Sequence, residues 1–255
     1  MLLDLQDGII YGPVRSRRLG RSLGINILPT GRKVCSFDCL YCQYGFSQGK
    51  TREEAGKERN RLPTVTEVLS AVEGAVLNLS PPAAYLTFSG NGEATLHPNF
   101  KEIVLGLRDI RDRLCPGSKT AILSNSSMVN DPLIREALAL LDVRIMKLDA
   151  GTEEMFAHYN RPAKGITLEG TVAGLAALED VTIQSLFTKG AEGNFTPDHL
   201  SAWLEQIKKI SPLFVQLYTL DRESPTTSLI PVEKSELLHI QSLLEKENIP
   251  SGVFG

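Results

Sequence analysis

Apolar positions along this chain keep two periods, and the two alternate. "TVTEVLSAVEGAVLNL" (64–79) spaces its apolar residues as a helix does, with Thr64 or Thr66 available as N-cap and Glu67 in the first turn. "AYLTFSG" (84–90) is a short β-branched and aromatic run ending in glycine, which predicts a strand. The rhythm continues with a helix over 99–113, a strand over 119–125, a helix over 131–141 and a strand over 143–150. Helices near 152–158 and 166–178, a strand over 181–189, a helix over 197–209, a strand over 213–220 and a helix over 233–247 complete it. Ahead of these, "SLGINIL" (22–28) reads as a first strand. Six nearly continuous apolar strands, each followed by a helix, predict an α/β fold with a parallel sheet covered on both faces and right-handed crossovers. An open doubly wound sheet and a full or partial barrel both satisfy that pattern, and six units are too few for the usual eight-stranded barrel.

One domain over 1–255 is the simplest organisation, with 1–21 as a lead-in and 22–247 as the repeating βα body. Segment 47–63, "SQGKTREEAGKERNRLP", is polar, charged and flanked by Gly and Pro, and is expected to be a mobile loop. The composition, 42% hydrophobic and 22% charged, is that of a soluble globular protein. No apolar run is long enough to cross a bilayer, and the acids near the N-terminus are unlike a signal peptide, so a cytoplasmic protein with no membrane partner is expected. A net charge of −3 gives no general reason to expect nucleic acid. The first 60 residues nevertheless hold ten Lys and Arg against six Asp and Glu, and "RSRRLGR" holds four of those arginines, Arg15, Arg17, Arg18 and Arg21. Such a group suits a phosphate or a carboxylate, or a solvated segment with surface ion pairs.

Three of the four cysteines stand within eight residues, in "VCSFDCLYCQYG" (34–45), directly after the first predicted strand. In a reducing compartment such a group points to metal or redox chemistry. Structural zinc normally takes four protein ligands, and neither a histidine nor a fourth cysteine is near in sequence. A disulfide would leave one thiol over. A [4Fe–4S] cluster usually takes four cysteines, and with three, one iron keeps positions for an outside ligand.

The spacing C-x3-C-x-aromatic-x-C, carried by Cys35, Cys39, Tyr41 and Cys42, resembles the signature of the radical S-adenosylmethionine (SAM) superfamily. "SGNGEATLHP" (89–98), after the second strand, resembles its glycine-glycine-glutamate element, with Asn91 inserted between Gly90 and Gly92. The resemblance implies a partial (βα)6 TIM-type barrel with a [4Fe–4S] cluster on Cys35, Cys39 and Cys42. SAM would chelate the free iron, and one electron would cleave it to methionine and a 5′-deoxyadenosyl radical that abstracts hydrogen from a substrate. It further implies an external electron donor such as flavodoxin or ferredoxin. Ser89, Gly90, Asn91, Gly92 and Glu93 would face the methionine ammonium, and Tyr41 the adenine.

In a parallel barrel, ligands gather at the C-terminal ends of the strands. Asn125 falls there, and alternation puts Ile145, Lys147 and Asp149 on one face, expected to be the lumen. Asp149 is a candidate for ribose hydroxyls, and Lys147 for a SAM carboxylate, a substrate acid or a substrate carbonyl. Gln184, pointing inward with Leu186, is a further SAM candidate. Cys115, in "CPGSKT", falls at the opposite end and is expected to be structural, while His199 and His239 are expected to face solvent. "YGPVRSRRLGRSLGINILP" and "KLDAGTEEMFAHYNRP" are similar to a group of radical SAM proteins related to the tRNA wyosine-synthesis enzymes. This chain lacks cysteines ahead of its motif for their second cluster, so wyosine-type tRNA modification is the alternative, together with a non-catalytic iron–sulfur sensor or scaffold. RNA or protein is the expected substrate class.

Overall fold

The computed structural model describes residues 2–47 and 61–254. Residues 48–60 of the expected mobile loop lie outside them. In chain order the strands are β1 (Ile10–Ser16), β2 (Gly20–Ile25), β3 (Tyr85–Phe88), β4 (Lys119–Ser124), β5 (Val143–Lys147) and β6 (Val181–Leu186), then β7 (Thr188–Lys189), β8 (Phe214–Tyr218), β9 (Ile230–Pro231) and β10 (Ser251–Val253). The helices are α1 (Val65–Leu77), α2 (Phe100–Leu114), α3 (Pro132–Ala139), the short α4 (Glu153–Met155), α5 (Leu168–Ala176), α6 (Pro197–Ile210) and α7 (Lys234–Lys246). One sheet runs β1-β2-β3-β4-β5-β6-β8-β10, parallel throughout except for the β1–β2 hairpin. The small β7–β9 pair is antiparallel and separate.

The six predicted strands are the six central parallel ones, and local chemistry sets their helices. Thr64 caps α1 in a reciprocal box with Glu67, and Thr196 caps α6 ahead of Pro197. Two strands join the predicted set. β1 lies in the lead-in, where a Gly-Pro step, a register shift between Tyr11 and Val14 and mostly exposed residues hide it from an apolar count. β10 is only three residues long.

The sheet curls so that β2 to β6 and β8 line one cavity. Its outer face, through Met146, Leu148 and Ile183, belongs to the main core under the helices. A second, small cluster lies inside the curl, where Leu19 of the hairpin turn packs on Ala121 and Ile145. Leu19 thus plugs the N-terminal end of the barrel, and the cavity opens at the other.

Candidate active site

Past Ile25 the chain crosses the C-terminal mouth of the barrel as an irregular segment, and two latches fix it. Val34 N–H donates to Asn91 O (2.8 Å), and Glu93 N–H donates back to Val34 O (2.9 Å). Asp38 and Leu40 N–H donate to Asn160 O and Tyr159 O (3.0 Å each), tying the segment to the π-turn Phe156–Asn160. Gly92, at φ 140°, is dictated by the first latch, since a Cβ there would lie 1.8 Å from the Val34 carbonyl oxygen.

Held this way, Cys35, Cys39 and Cys42 all line the cavity, whose volume is about 370 Å³. Each sulfur has one N–H donor from elsewhere. Asn125 Nδ2 lies 3.4 Å from Cys35 Sγ, Asn160 Nδ2 3.5 Å from Cys39 Sγ, and Lys33 Nζ 3.2 Å from Cys42 Sγ. Burial, reinforced by neighbouring negative charge, pushes the free Cys35 thiol up to about 12. Burial likewise lifts Cys39 to about 11. Bare thiols so shifted stay protonated and are poor nucleophiles, whereas a metal that displaces the proton turns them into thiolates. Among the described residues, no three His, Cys, Asp or Glu side chains converge on a single-ion site. Separated soft sulfurs, each with an N–H donor, fit a [4Fe–4S] cluster, in which each thiolate takes a different iron. The remaining cysteine, Cys115, is buried at the C-cap of α2, before β4 begins, and belongs to the apolar core.

Beneath the cysteines lies a polar layer. Asp149 Oδ2 accepts from the Tyr41 hydroxyl and from Asn160 Nδ2 (2.9 Å) and sits 3.5 Å from Lys147 Nζ, while Oδ1 accepts from Leu186 N–H (2.9 Å). Lys147 Nζ also donates to the Tyr218 hydroxyl (3.2 Å) and stands 5.0 Å over the Tyr41 ring. Burial works against its charge, but the Asp149 carboxylate and the hydrogen bond to Tyr218 outweigh burial and raise the Lys147 pKa.

The structure brings Tyr41, Ser89, Gly90, Gly92, Glu93, Asn125, Lys147 and Gln184 onto the cavity wall with the three cysteines. Asn91 and Asp149 are not part of that wall. Asn91 is fully buried, donating to Gln6 O and Pro29 O (3.0 Å each) and accepting from Gln6 N–H, so its side chain anchors the N-terminal segment. Asp149 is 1% exposed and engaged by protein donors, and it orients Tyr41 and Lys147. Glu93 is enclosed too. Its carboxylate accepts from Thr95 N–H and hydroxyl, Ser124 Oγ and Asn125 N–H (3.0, 2.7, 3.0 and 2.5 Å), which binds β3's end to β4's. His199 also departs from expectation, being buried, with Nε2 accepting from Gly151 N–H (3.0 Å). Lys33, Asn160 and Tyr218 were not anticipated. Tyr218 was within reach, since the alternation that singles out Lys147 also aligns Phe214, Gln216 and Tyr218, whereas Lys33 acts from an irregular segment and Asn160 from the end of the π-turn, where no strand period applies.

A curled parallel sheet with three hydrogen-bonded thiols at its mouth defines a cluster-bearing partial barrel. The sequence profile of the Radical SAM superfamily matches residues 32–190, and the chain belongs to that superfamily, a family of enzymes whose cofactors are a [4Fe–4S] cluster and SAM. It is 32% identical over 220 residues to a UPF0026 protein of Helicobacter pylori (strain J99 / ATCC 700824), covering 85% of this chain and 67% of that one. The fold is similar to Streptococcus suis SuiB bound to S-adenosylmethionine, with TM-score 0.64 and 11% identity, over 91% of this chain and 50% of SuiB. It is also similar to TYW1 with a lysine-pyruvate adduct bound, with TM-score 0.57 and 13% identity, over 89% of this chain and 73% of TYW1. The chain thus spans half the length of SuiB. Among the described residues, no helix is long and apolar enough to cross a membrane.

Proposed function

We propose that the cavity carries out a radical SAM reaction on a substrate taken into the lumen. When bound, the cluster and SAM supply a 5′-deoxyadenosyl radical and methionine by one-electron cleavage of SAM, and the radical removes a hydrogen atom from the substrate. Cys35, Cys39 and Cys42 would hold the cluster, and Asn125, Asn160 and Lys33 would share its thiolate charge through their N–H groups. Asp149 and Asn160 fix the Tyr41 hydroxyl, so that the ring forms a rigid wall between the cysteine loop and Lys147. Leu19 closes the floor against water. The partner this reading requires is a one-electron donor of flavodoxin or ferredoxin type.

The observation that carries it is the set of three cavity-facing thiols, each with its own N–H donor, while the remaining cysteine caps a helix at the far end. Anaerobic reconstitution followed by dithionite and SAM should give 5′-deoxyadenosine from the wild type and none from Cys39→Ala. Protein that takes up zinc or no metal, with no spectral response to SAM, overturns the reading.

Wyosine-type chemistry through Lys147 is a second reading, prompted by the lysine-pyruvate adduct of TYW1. The contacts of Lys147 with Asp149 (3.5 Å) and the Tyr218 hydroxyl (3.2 Å) speak against it, because they favour the ammonium form, which must lose a proton before it can attack a carbonyl. Pyruvate with cyanoborohydride should therefore leave the mass of the protein unchanged, and a reduced adduct on Lys147 would restore that reading. The arginine group gives little support to an RNA grip. Arg17 pairs with Asp221 (3.0 Å), Arg21 donates to the Pro81 carbonyl and Arg18 turns into the lumen, which leaves the cross-strand neighbours Arg15 and Arg21 as the shared basic surface of the segment.

A further inference from the structure

We infer that the lower half of the lumen is a binding site for an oxyanion of the substrate, a carboxylate or a phosphate, received by Arg18, Lys147 and the amide of Gln216. The inference rests on the radical SAM reading only in calling the occupant a substrate.

The hairpin turn between β1 and β2 sits at the N-terminal end of the barrel. There Leu19 fills the floor and Arg18 reaches into the cavity. Its Nη1 donates to Gln184 Oε1 (2.6 Å), and its Cζ lies 5.0 Å from the Tyr218 ring centroid. That amide oxygen is a neutral partner, and among the described residues no carboxylate pairs with Arg18. The neighbouring Arg17 does have one, Asp221 at 3.0 Å. A guanidinium has five N–H groups, and one that is withdrawn into a cavity without an anion carries an uncompensated charge.

Lys147 comes down on the same space from β5. Its Nζ is 3.2 Å from the Tyr218 hydroxyl and 5.9 Å from that ring's centroid, so two cations neighbour one ring. The Lys147 counter-charge, Asp149, is already engaged by Tyr41, Asn160 and Leu186. An independent sign comes from β8. Gln216 pairs in register with Gln184, so both side chains point to the lumen. Gln216 is 6% exposed, and its Oε1 has no hydrogen-bond partner. Its amide can present either a donor or an acceptor. A fork, an ammonium ion and an unpartnered amide around one aromatic ring match an oxyanion better than a neutral group. Arg18 enters from the end of the barrel opposite the cysteines, and Lys147 reaches it from the layer beneath them.

The test is calorimetric titration of glutarate and of inorganic phosphate into the reconstituted protein in a low-chloride buffer. The wild type should bind at least one of them, and the tighter anion names the substrate group. Arg18→Gln should weaken that binding about tenfold or more. Gln216→Leu keeps the Arg18–Gln184 contact and should weaken binding as well, so a folding defect in the first variant does not decide the matter. Absence of heat with both anions in the wild type overturns the proposal, as does unchanged affinity in Gln216→Leu and in folded Arg18→Gln. 5′-Deoxyadenosine formation by the wild type is scored separately. Its loss strikes the radical SAM reading and leaves the anion isotherm standing, and the converse also holds.

Discussion

Lys33 is the residue whose charge meets a ligand sulfur most directly. Its side chain is 6% exposed and is held by Asp38 at 3.5 Å, Cys42 Sγ at 3.2 Å and the Gly45 carbonyl at 2.7 Å. A buried cation beside a thiolate favours the more negative, reduced form of a cluster. Lys33→Gln should therefore lower the midpoint potential by on the order of 60 mV, one decade for a one-electron couple. Redox titration followed by electron paramagnetic resonance checks this, and an unchanged potential would make Lys33 a loop strut only. Gly92 acts through space alone. In Gly92→Ala the new methyl group meets the Val34 carbonyl at a backbone angle that L-residues rarely adopt, so the latch must open. A cost of about 2 kcal/mol or more is expected. Iron per chain after reconstitution should fall with it, and full iron content at an unchanged melting temperature would show that the loop holds without the latch.

At the scale of elements, the parallel strands were legible because burial on both faces makes their apolar runs continuous. β6 is buried at all six positions. The alternation in β5 placed Lys147 correctly for the same reason. What stayed hidden depends on tertiary contact. The side chain of Asn91 turns away from the cavity because Gln6 and Pro29 offer carbonyls behind it, and no local pattern announces them. α6 shows the same limit, since helical spacing leaves His199 facing either way until the Gly151 amide is placed against it. That burial has a consequence for pH. Desolvation pulls both His199 and His97 below their ordinary value of 6.5, so each is neutral when folded and takes a proton when unfolded. Their contribution is complete above that unfolded value and is lost as pH falls through the folded ones. Urea midpoints at fixed iron content should be flat above neutrality and fall from about pH 6.5 toward 5. His199→Gln should flatten the fall by up to about 1.4 kcal/mol per pH unit, and an undiminished slope would show that His199 does not carry it.

On the scale of the whole molecule, the barrel is a curved sheet with two unlike edges, and the hairpin joins them. β1 and β2 form one edge, and the Arg17–Asp221 pair ties their turn to the loop beyond β8, near the other. Leu19 holds the turn from inside, in a cluster separate from the main core, with Ala121 and Ile145 as its buried partners. The exposed ion pair contributes little, so the closure rests on the Leu19 plug and on the bond of Arg18 to Gln184. β2 itself pairs with β3 and rests on the main core through Leu23 and Ile25, so only the turn that Leu19 holds from inside can open without the rest. Leu19→Ala removes most of that plug and leaves a cavity at its site, at an expected cost of about 2–3 kcal/mol. The loss should fall on the turn alone. Amide exchange should accelerate across the turn, residues 16–21, while the amides of β4, β5 and β6 keep their wild-type protection as long as the protein remains folded. A uniform acceleration over the whole sheet would mean that the turn opens only with global unfolding, and that the lumen floor is an integral wall of the barrel, not a separately hinged plug.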